Sequence, residues 1–278
     1  VKHYMAGGDL VKAGARYDRV EVETGRLADN DDRSEDNISA FASWTHRINN
    51  QYRLESTLSR SVRTADATER YINGGTWQGN PELDPEKHHQ LELILASETA
   101  DLSWSLAGYY NRVDDYINRQ NNRYDNIDAA LYGLDFELAW QLDNHWQLRN
   151  GIAWVKGENR DDNTDLSQIP PLTATLALDY RRDALKAGVE WEVSAKQNDV
   201  CTLNDCGGLD FGKTPGYGVV NLNAGYDFNP SLSLSAGVNN LFDKAYAQHL
   251  NRFSDVLGNQ VQVNEPGRTG WVRLTARF

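Results

Sequence analysis

A two-residue rhythm of apolar and polar side chains, repeated in segment after segment, constrains this chain more than any other feature. Successive residues of a strand point to opposite faces, so a period of two gives one greasy face and one wet face. In 134–142, Leu134, Phe136, Leu138, Trp140 and Leu142 alternate with Asp135, Glu137, Ala139 and Gln141. The rhythm recurs in Leu102, Trp104, Leu106 and Tyr110, in Trp146, Leu148, Ile152 and Trp154, and in Leu172, Ala174, Leu176, Leu178 and Tyr180. Leu185, Ala187, Val189, Trp191 and Val193 face away from Lys186, Gly188, Glu190 and Glu192, and the segments Val220 to Phe228 and Leu232 to Val238 repeat the pattern.

This pattern predicts twelve strands, near 9–22, 37–48, 51–62, 88–98, 101–117, 130–142, 145–157, 171–182, 184–195, 217–228, 231–240 and 269–278. Their connections alternate in length. Asn49-Asn50, Thr99-Ala100, Asp143-Asn144, Asp183 and Asn229-Pro230 read as tight turns, whereas 23–36, 63–87, 118–129, 158–170, 196–216 and 241–268 read as long connections. A soluble sandwich has no reason to sort its connections in this way. An outer-membrane barrel does, because one rim carries short periplasmic turns and the other long extracellular loops. The predicted fold class is therefore all-β, an antiparallel transmembrane β-barrel with about twelve strands in this chain. Val272, Leu274, Ala276 and Phe278 share a face of the last segment, and a terminal aromatic on such a strand resembles the assembly signal of outer-membrane barrels. Many of the 13 Tyr and 8 Trp fall near strand ends, where interfacial girdles would hold them.

Composition is compatible with this reading. The mean hydropathy of −0.66 is that of a soluble protein, but only alternate residues of a barrel strand meet lipid. No run approaches the ~18 apolar residues of a membrane-spanning helix. A net charge of −12 argues against nucleic acid as a partner and for cationic ligands or a lipopolysaccharide surface bridged by divalent cations. Val1-Lys2-His3-Tyr4 begins mid-pattern, without a secretory signal, and reads as a truncated or processed start. Cys201 and Cys206 lie in a loop rich in Gly, Asn and Asp, which suits a local disulfide better than a zinc site needing four ligands.

Several segments, in order along nearly the whole chain, resemble the TonB-dependent outer-membrane receptors. They are Gly14-Ala15-Arg16-Tyr17-Asp18, Ser59-Arg60-Ser61-Val62-Arg63, Gly79-Asn80-Pro81-Glu82-Leu83, Tyr109-Tyr110-Asn111, Leu131-Tyr132-Gly133, Ile169-Pro170-Pro171, Gly237-Val238-Asn239-Asn240-Leu241-Phe242-Asp243 and Asn264-Glu265-Pro266-Gly267-Arg268-Thr269. Within that family the chain is most similar to the TonB-dependent copper receptors, through Trp77-Gln78-Gly79-Asn80-Pro81, Pro85-Glu86-Lys87-His88-His89-Gln90, Val219 to Tyr226 and Tyr246-Ala247-Gln248-His249-Leu250-Asn251-Arg252. The resemblance implies a barrel of about 22 strands around a plug domain. Residues 1–278 would be its C-terminal share, without the plug or the TonB box. It also implies the outer membrane of a Gram-negative bacterium as location. The implied partners are TonB through the missing N-terminal part, outer-membrane lipids and lipopolysaccharide, and a copper or ferric-siderophore substrate. Copper would be a transported ligand and not a cofactor.

Copper receptors of this kind use a His-x-Met pair in the barrel, and His3-Tyr4-Met5 matches it by letters, Met5 being the only methionine. Imidazole and thioether suit copper, especially Cu(I). The same residues would descend to a periplasmic turn at Gly7-Gly8-Asp9, a poor depth for capturing extracellular metal, so a chance match stays open. His88 and His89 are adjacent and would point to opposite faces, and the isolated His46, His145 and His249 suit interfacial or loop positions. Asp29, Asp31, Asp32, Glu35 and Asp36, with Glu158, Asp161, Asp162 and Asp165, could draw cations to the mouth or simply solvate it. No nucleophile elbow, phosphate-cradling loop or metalloprotease helix is present, and the chain is not expected to be an enzyme.

Overall fold

The computed structural model describes residues 1–5, 7–22, 33–75, 77–251, 253–256 and 259–277. Its elements run β1 (Lys2–Tyr4), β2 (Leu10–Val22), β3 (Arg33–Arg47), β4 (Tyr52–Arg63), α1 (Ala67–Tyr71), β5 (Asn73–Gly74), β6 (Trp77–Gln78), β7 (Glu86–Glu98), β8 (Leu102–Gln120), β9 (Arg123–Gln141), β10 (Trp146–Asn159), β11 (Thr164–Asp165), β12 (Thr173–Arg182), β13 (Leu185–Ser194), β14 (Tyr217–Asn229), β15 (Leu232–Asn239), β16 (Phe253–Val256), β17 (Asn259–Gln262) and β18 (Thr269–Ala276).

One sheet carries the molecule, in the order β1-β2-β3-β4-β7-β8-β9-β10-β12-β13-β14-β15-β18. Along this path the strands follow one another in chain order and each pair is antiparallel, as successive hairpins require, while β5, β6 and β11 lie off it and β16 and β17 form a separate two-stranded sheet. The twelve expected strands are all there, with β1 added at one edge. Among the described residues β1 and β18 do not pair with each other, so the sheet is an open wall.

Register turns the sequence rhythm into continuous stripes. Trp191 pairs with Leu176 and Val220, Val189 with Leu178 and Leu222, and Phe136 with Leu106 and Ile152. Among the described residues no second layer covers this face: Leu58 is 62% exposed, Leu134 50% and Trp191 49%. A contiguous apolar surface of this extent marks contact with lipid or a partner. The opposite face is polar. There Arg149 reaches Asp179 at 2.7 Å, Lys186 reaches Asp227 at 2.5 Å, and the Asn221 amide donates to Glu192 at 2.6 Å.

Two departures from the sequence reading come from turn chemistry. The segment 118–129, expected to be a long loop, is instead the tip of a hairpin that extends β8 and β9 well past the apolar band. Asn121 and Asn122 take φ of 50° and 63°, a two-residue turn whose left-handed geometry Asn tolerates. A bulge between Val113 and Tyr116, with Asp115 at φ 61°, re-aims the strand as it leaves the band. The segments 63–87, 158–170 and 241–268 are not bare loops either, since they contain α1, β5 and β6, then β11, then β16 and β17.

On the polar face Gly133 lies opposite Tyr109. A Cβ built there would stand 2.5 Å from the Trp154 carbonyl oxygen and 2.7 Å from the Tyr109 hydroxyl, so only glycine fits beneath that ring. Gly133→Val is expected to destabilise the β8–β10 wall by about 1–3 kcal/mol, the usual cost of overpacking. The check is the fraction of complete protein that keeps the folded, heat-modifiable mobility in gel electrophoresis.

Candidate functional site

The long connections gather at one rim and bind one another, whereas among the described residues the opposite rim has tight turns such as that of Asp143, whose Oδ1 accepts from His145 N at 2.7 Å and Trp146 N at 2.9 Å. Around the mouth, α1 starts at a capping box. Asp66 Oδ1 accepts from Glu69 N, and Glu69 Oε2 accepts from Asp66 N, both at 2.8 Å. Glu69 is thereby placed for Arg63, whose guanidinium lies between two carboxylates, donating to Glu69 at 2.9 and 3.0 Å and to Glu86 at 2.7 and 2.8 Å. Glu86 also accepts from Ile117 N at 2.9 Å, which ties β7 to the extension of β8. The Arg70 side chain is fully buried, pairs with Glu35 and donates to the Pro81 carbonyl, which also receives Arg33. Leu83, Ala65 and Ile117 form a small apolar core under this loop, with Tyr124 against it.

The hairpin tip is strapped on both sides. Gln78 N donates to Asn122 O at 3.0 Å and the Asn80 amide to Tyr124 O at 3.0 Å. On its other side Asn121 N donates to Gly207 O at 2.8 Å and Gln120 Nε2 to Cys206 O at 2.6 Å. Cys206 is bonded to Cys201 in the same loop. Beneath it Asp210 is almost wholly buried, accepting from Gln168 N and Cys201 N, each at 2.8 Å. His249 Nε2 stands 3.3 Å from Asp210 Oδ1 without the alignment of a hydrogen bond, and its Nδ1 meets the Thr214 hydroxyl at 2.8 Å. Burial pushes the Asp210 carboxyl up, but His249 and the two backbone N–H groups outweigh it and hold the acid below its ordinary range.

Inside the wall, towards the tight turns, a hollow of about 480 Å³ is lined by Arg53, Ser97, Ser105, Glu137, Arg149 and Thr175. Ala96, Ala139, Gly151 and Ala177 also line it, so the charged Arg53, Glu137 and Arg149 stand among small apolar residues.

The residues singled out in the sequence scatter over this architecture. His3 pairs with Val11 on the apolar face, and Met5 follows at the turn, its N–H donating to Asp9 O at 2.8 Å. Both belong to the tight-turn rim, away from the mouth. His88 and His89 take opposite faces as expected: His88 touches Glu86 at 3.1 Å and Asn111 at 3.0 Å, and His89 approaches Asp114 at 3.6 Å. His46 contacts Asp9 at 2.9 Å and stacks on Trp44, and His145 stacks on Tyr180. Among the described residues no three His, Cys, Asp or Glu side chains gather at metal-binding spacing.

The acidic loops are largely consumed internally. Glu35 holds Arg70, Asp36 accepts from the Tyr17 hydroxyl at 2.7 Å, Glu158 from Tyr132 at 2.8 Å, and Asp161 from Asp128 N at 3.0 Å. Asp29, Asp31, Asp32, Arg252 and Phe278 lie outside the described residues. Sequence reasoning missed the buried Asp210, His249 and Thr214 group, since a lone acid or histidine in a polar loop carries no periodicity to betray its burial.

A family model described as TonB dependent receptor-like, beta-barrel, matches residues 8–241. Among solved structures, the copper transporter OprC superposes on 100% of this chain with a TM-score of 0.90 and 32% identity, and the chain covers 46% of it. The ferric enterobactin receptor of Pseudomonas aeruginosa, as a mutant, superposes on 99% with a TM-score of 0.76 and 20% identity, a likeness of fold. By sequence, the ferric enterobactin receptor of Pseudomonas aeruginosa is 30% identical over 59% of this chain, and the ferrienterobactin receptor of Escherichia coli 27% over 74%. The matches span only 23% and 31% of those two proteins.

Proposed function

The chain belongs to the TonB-dependent receptor β-barrel family, and from that premise we propose that it forms part of the wall of an outer-membrane active transporter whose cargo is a copper ion. The observation that carries the cargo is the fit along the whole chain to a copper transporter, at a TM-score of 0.90 against 0.76 for a ferric enterobactin receptor. In this reading the exposed apolar stripes meet hydrocarbon, the long connections face outward, and the charged lumen carries the ion. TonB supplies the work through a part of the transporter outside this chain. A ferric-siderophore cargo is the second reading, favoured by the ferric enterobactin receptors among the sequence relatives and by Arg119 lying over the Trp77 ring, an arrangement suited to an anionic aromatic chelate.

Accumulation of radiolabelled copper and of a ferric catecholate should be compared in cells with and without the complete receptor, each in the presence and absence of TonB. TonB-dependent copper uptake is expected. Catecholate uptake without copper uptake would install the second reading, and cargo entry independent of TonB would remove active transport. His3→Ala and Met5→Ala are expected to leave copper accumulation within about twofold of the parent, because both residues sit at the tight-turn rim. A tenfold loss in either would restore that pair as ligands.

A further inference from the structure

Beside the hairpin tip a hollow of about 540 Å³ opens between the end of β10, β11 and the 196–216 connection. Its volume is that of a small-molecule site. Lys156 and Arg160 bring positive charge to the lining, Glu158, Asp165 and Asp205 bring negative charge, and Cys206 lies among them. The two halves of the disulfide are placed differently. Cys206 is half-buried and lines the hollow. Cys201 is 5% exposed, its N–H donates to Asp210 at 2.8 Å, and a Cβ built on Gly208 would stand 2.5 Å from its sulfur, so backbone closes that flank. The charges are unevenly engaged. Lys156 Nζ has Asp165 at 3.6 Å, Asp199 at 3.7 Å and Glu158 at 3.8 Å, and Asp205 accepts from the Thr202 hydroxyl at 2.7 Å. Arg160 is exposed, its N–H donating to Asp128 O at 2.8 Å, and its guanidinium forms no ion pair among the described residues. The bridge also closes the turn that holds the hairpin tip, through Gln120 Nε2 donating to Cys206 O and Asn121 N to Gly207 O.

We propose that the hollow admits a small zwitterionic thiol, of amino-acid or dipeptide size, which exchanges with the Cys201–Cys206 bridge and so loosens the hairpin tip. The carboxylate of such a molecule meets the free guanidinium of Arg160, and its ammonium meets Asp165 and Asp205, whereas a neutral thiol gains neither contact. Lys156 and Arg160 also favour the reactive thiolate over the thiol. Attack falls on Cys206, because the approach to Cys201 is closed. The incoming sulfur bonds to Cys206 Sγ, the bond between Cys206 and Cys201 breaks, and Cys201 leaves as a thiolate that takes up the proton released by the incoming thiol. A second thiol then attacks the small-molecule sulfur of the mixed disulfide and frees Cys206. The balance is one bridge and two thiols giving two cysteines and one small disulfide. With the ring from 201 to 206 open, the turn regains conformational freedom and presents the Cys206 and Gly207 carbonyls less firmly to the tip. Cys206 N and Gly208 N keep their bonds to Thr202 O, at 3.1 and 3.2 Å, so the turn loosens without dissolving.

The inference does not depend on the cargo, so copper uptake and thiol exchange can fail separately. The test uses the complete receptor in detergent, with cysteinylglycine as the zwitterionic probe and 2-mercaptoethanol as the neutral one, at matched thiolate concentration. Mass spectrometry of the digested protein is expected to find the first adduct on Cys206. Hydrogen exchange at the Asn121 amide should quicken about tenfold after full reduction, and Cys201→Ser with Cys206→Ser should reproduce that without any thiol. Arg160→Gln is expected to slow cysteinylglycine about fivefold, the worth of one exposed ion pair, and to leave 2-mercaptoethanol within about twofold of the parent. A first adduct on Cys201, or a cysteinylglycine rate that Arg160→Gln leaves unchanged or slows no more than that of 2-mercaptoethanol, would overturn the site. A bridge inert to both probes in the folded receptor, yet reactive after denaturation, would reduce it to a structural staple. Unchanged exchange at Asn121 after reduction would remove the link to the tip. Should the double serine variant fail to assemble, adduct position and exchange in the parent decide.

Discussion

Replacing Arg63 by alanine is expected to unlatch the loop over the mouth, with amide protection across residues 64–85 falling by one to two orders of magnitude in hydrogen exchange on the complete receptor. The reason is the asymmetry of a broken ion pair. The Arg63 side chain is 42% exposed, but the Glu86 side chain it holds is 4% exposed and that of Glu69 14%. Removing the cation leaves two carboxylates, one of them buried, facing each other across the space it filled. Breaking a fully buried pair costs about 3–5 kcal/mol. Partial exposure of Arg63 lets water screen the remaining charges, so about 2–3 kcal/mol is expected. Glu86 keeps Ile117 N and His88, which is why β7 and β8 should stay paired while α1 is freed. Arg63→Lys should recover only part of the protection, because an ammonium cannot serve both carboxylates with a planar fork. Unchanged protection in the alanine variant would show that the small core of Leu83, Ala65 and Ile117 holds the loop without Arg63.

The wall was legible from sequence because its physics is periodic. Leu134 to Leu142 alternate without a break, and every tight turn but Thr99-Ala100 carries Asn, Asp or Pro, so both strand existence and register follow from local rules. The mouth was less legible because its ties are between residues far apart in the chain. Arg70 falls in 63–87, which the sequence marks only as a long connection, yet it is buried against Glu35, 35 residues away. Asn121-Asn122 reads as loop, yet the pair closes the longest hairpin. His249 reads as an interfacial or loop residue and does lie in a loop, yet it is 5% exposed beside Asp210. The acidic balance also misleads when taken as a cation funnel, since Glu35, Asp36, Glu158 and Asp161 each accept bonds that hold loops in place. Charge in these connections is mainly structural glue among elements that individually bury too little apolar surface to fold.

Asp210 is the clearest case of that glue, and Asp210→Asn is expected to cost about 2–3 kcal/mol of local stability in the 196–216 connection, the range for leaving buried polar groups unpaired. Both oxygens are spoken for by N–H donors, Oδ1 by Gln168 N and Oδ2 by Cys201 N. An amide would turn its own NH2 towards one of those donors, and the neutral group would lose its attraction to His249. The same geometry fixes a pH response. The Asp210 carboxyl lies below its ordinary value in the folded protein, so its contribution is fully present above about pH 4, the unfolded acid's range. It is lost as pH falls through the lower folded value. Proteolysis of the connection in the complete receptor should therefore be flat from pH 7 down to about 4.5 and accelerate below about 4. Asp210→Asn should be cut readily at all of these pH values, with the acid step removed. An acid step of undiminished size in that variant would assign the response to another carboxylate of the mouth.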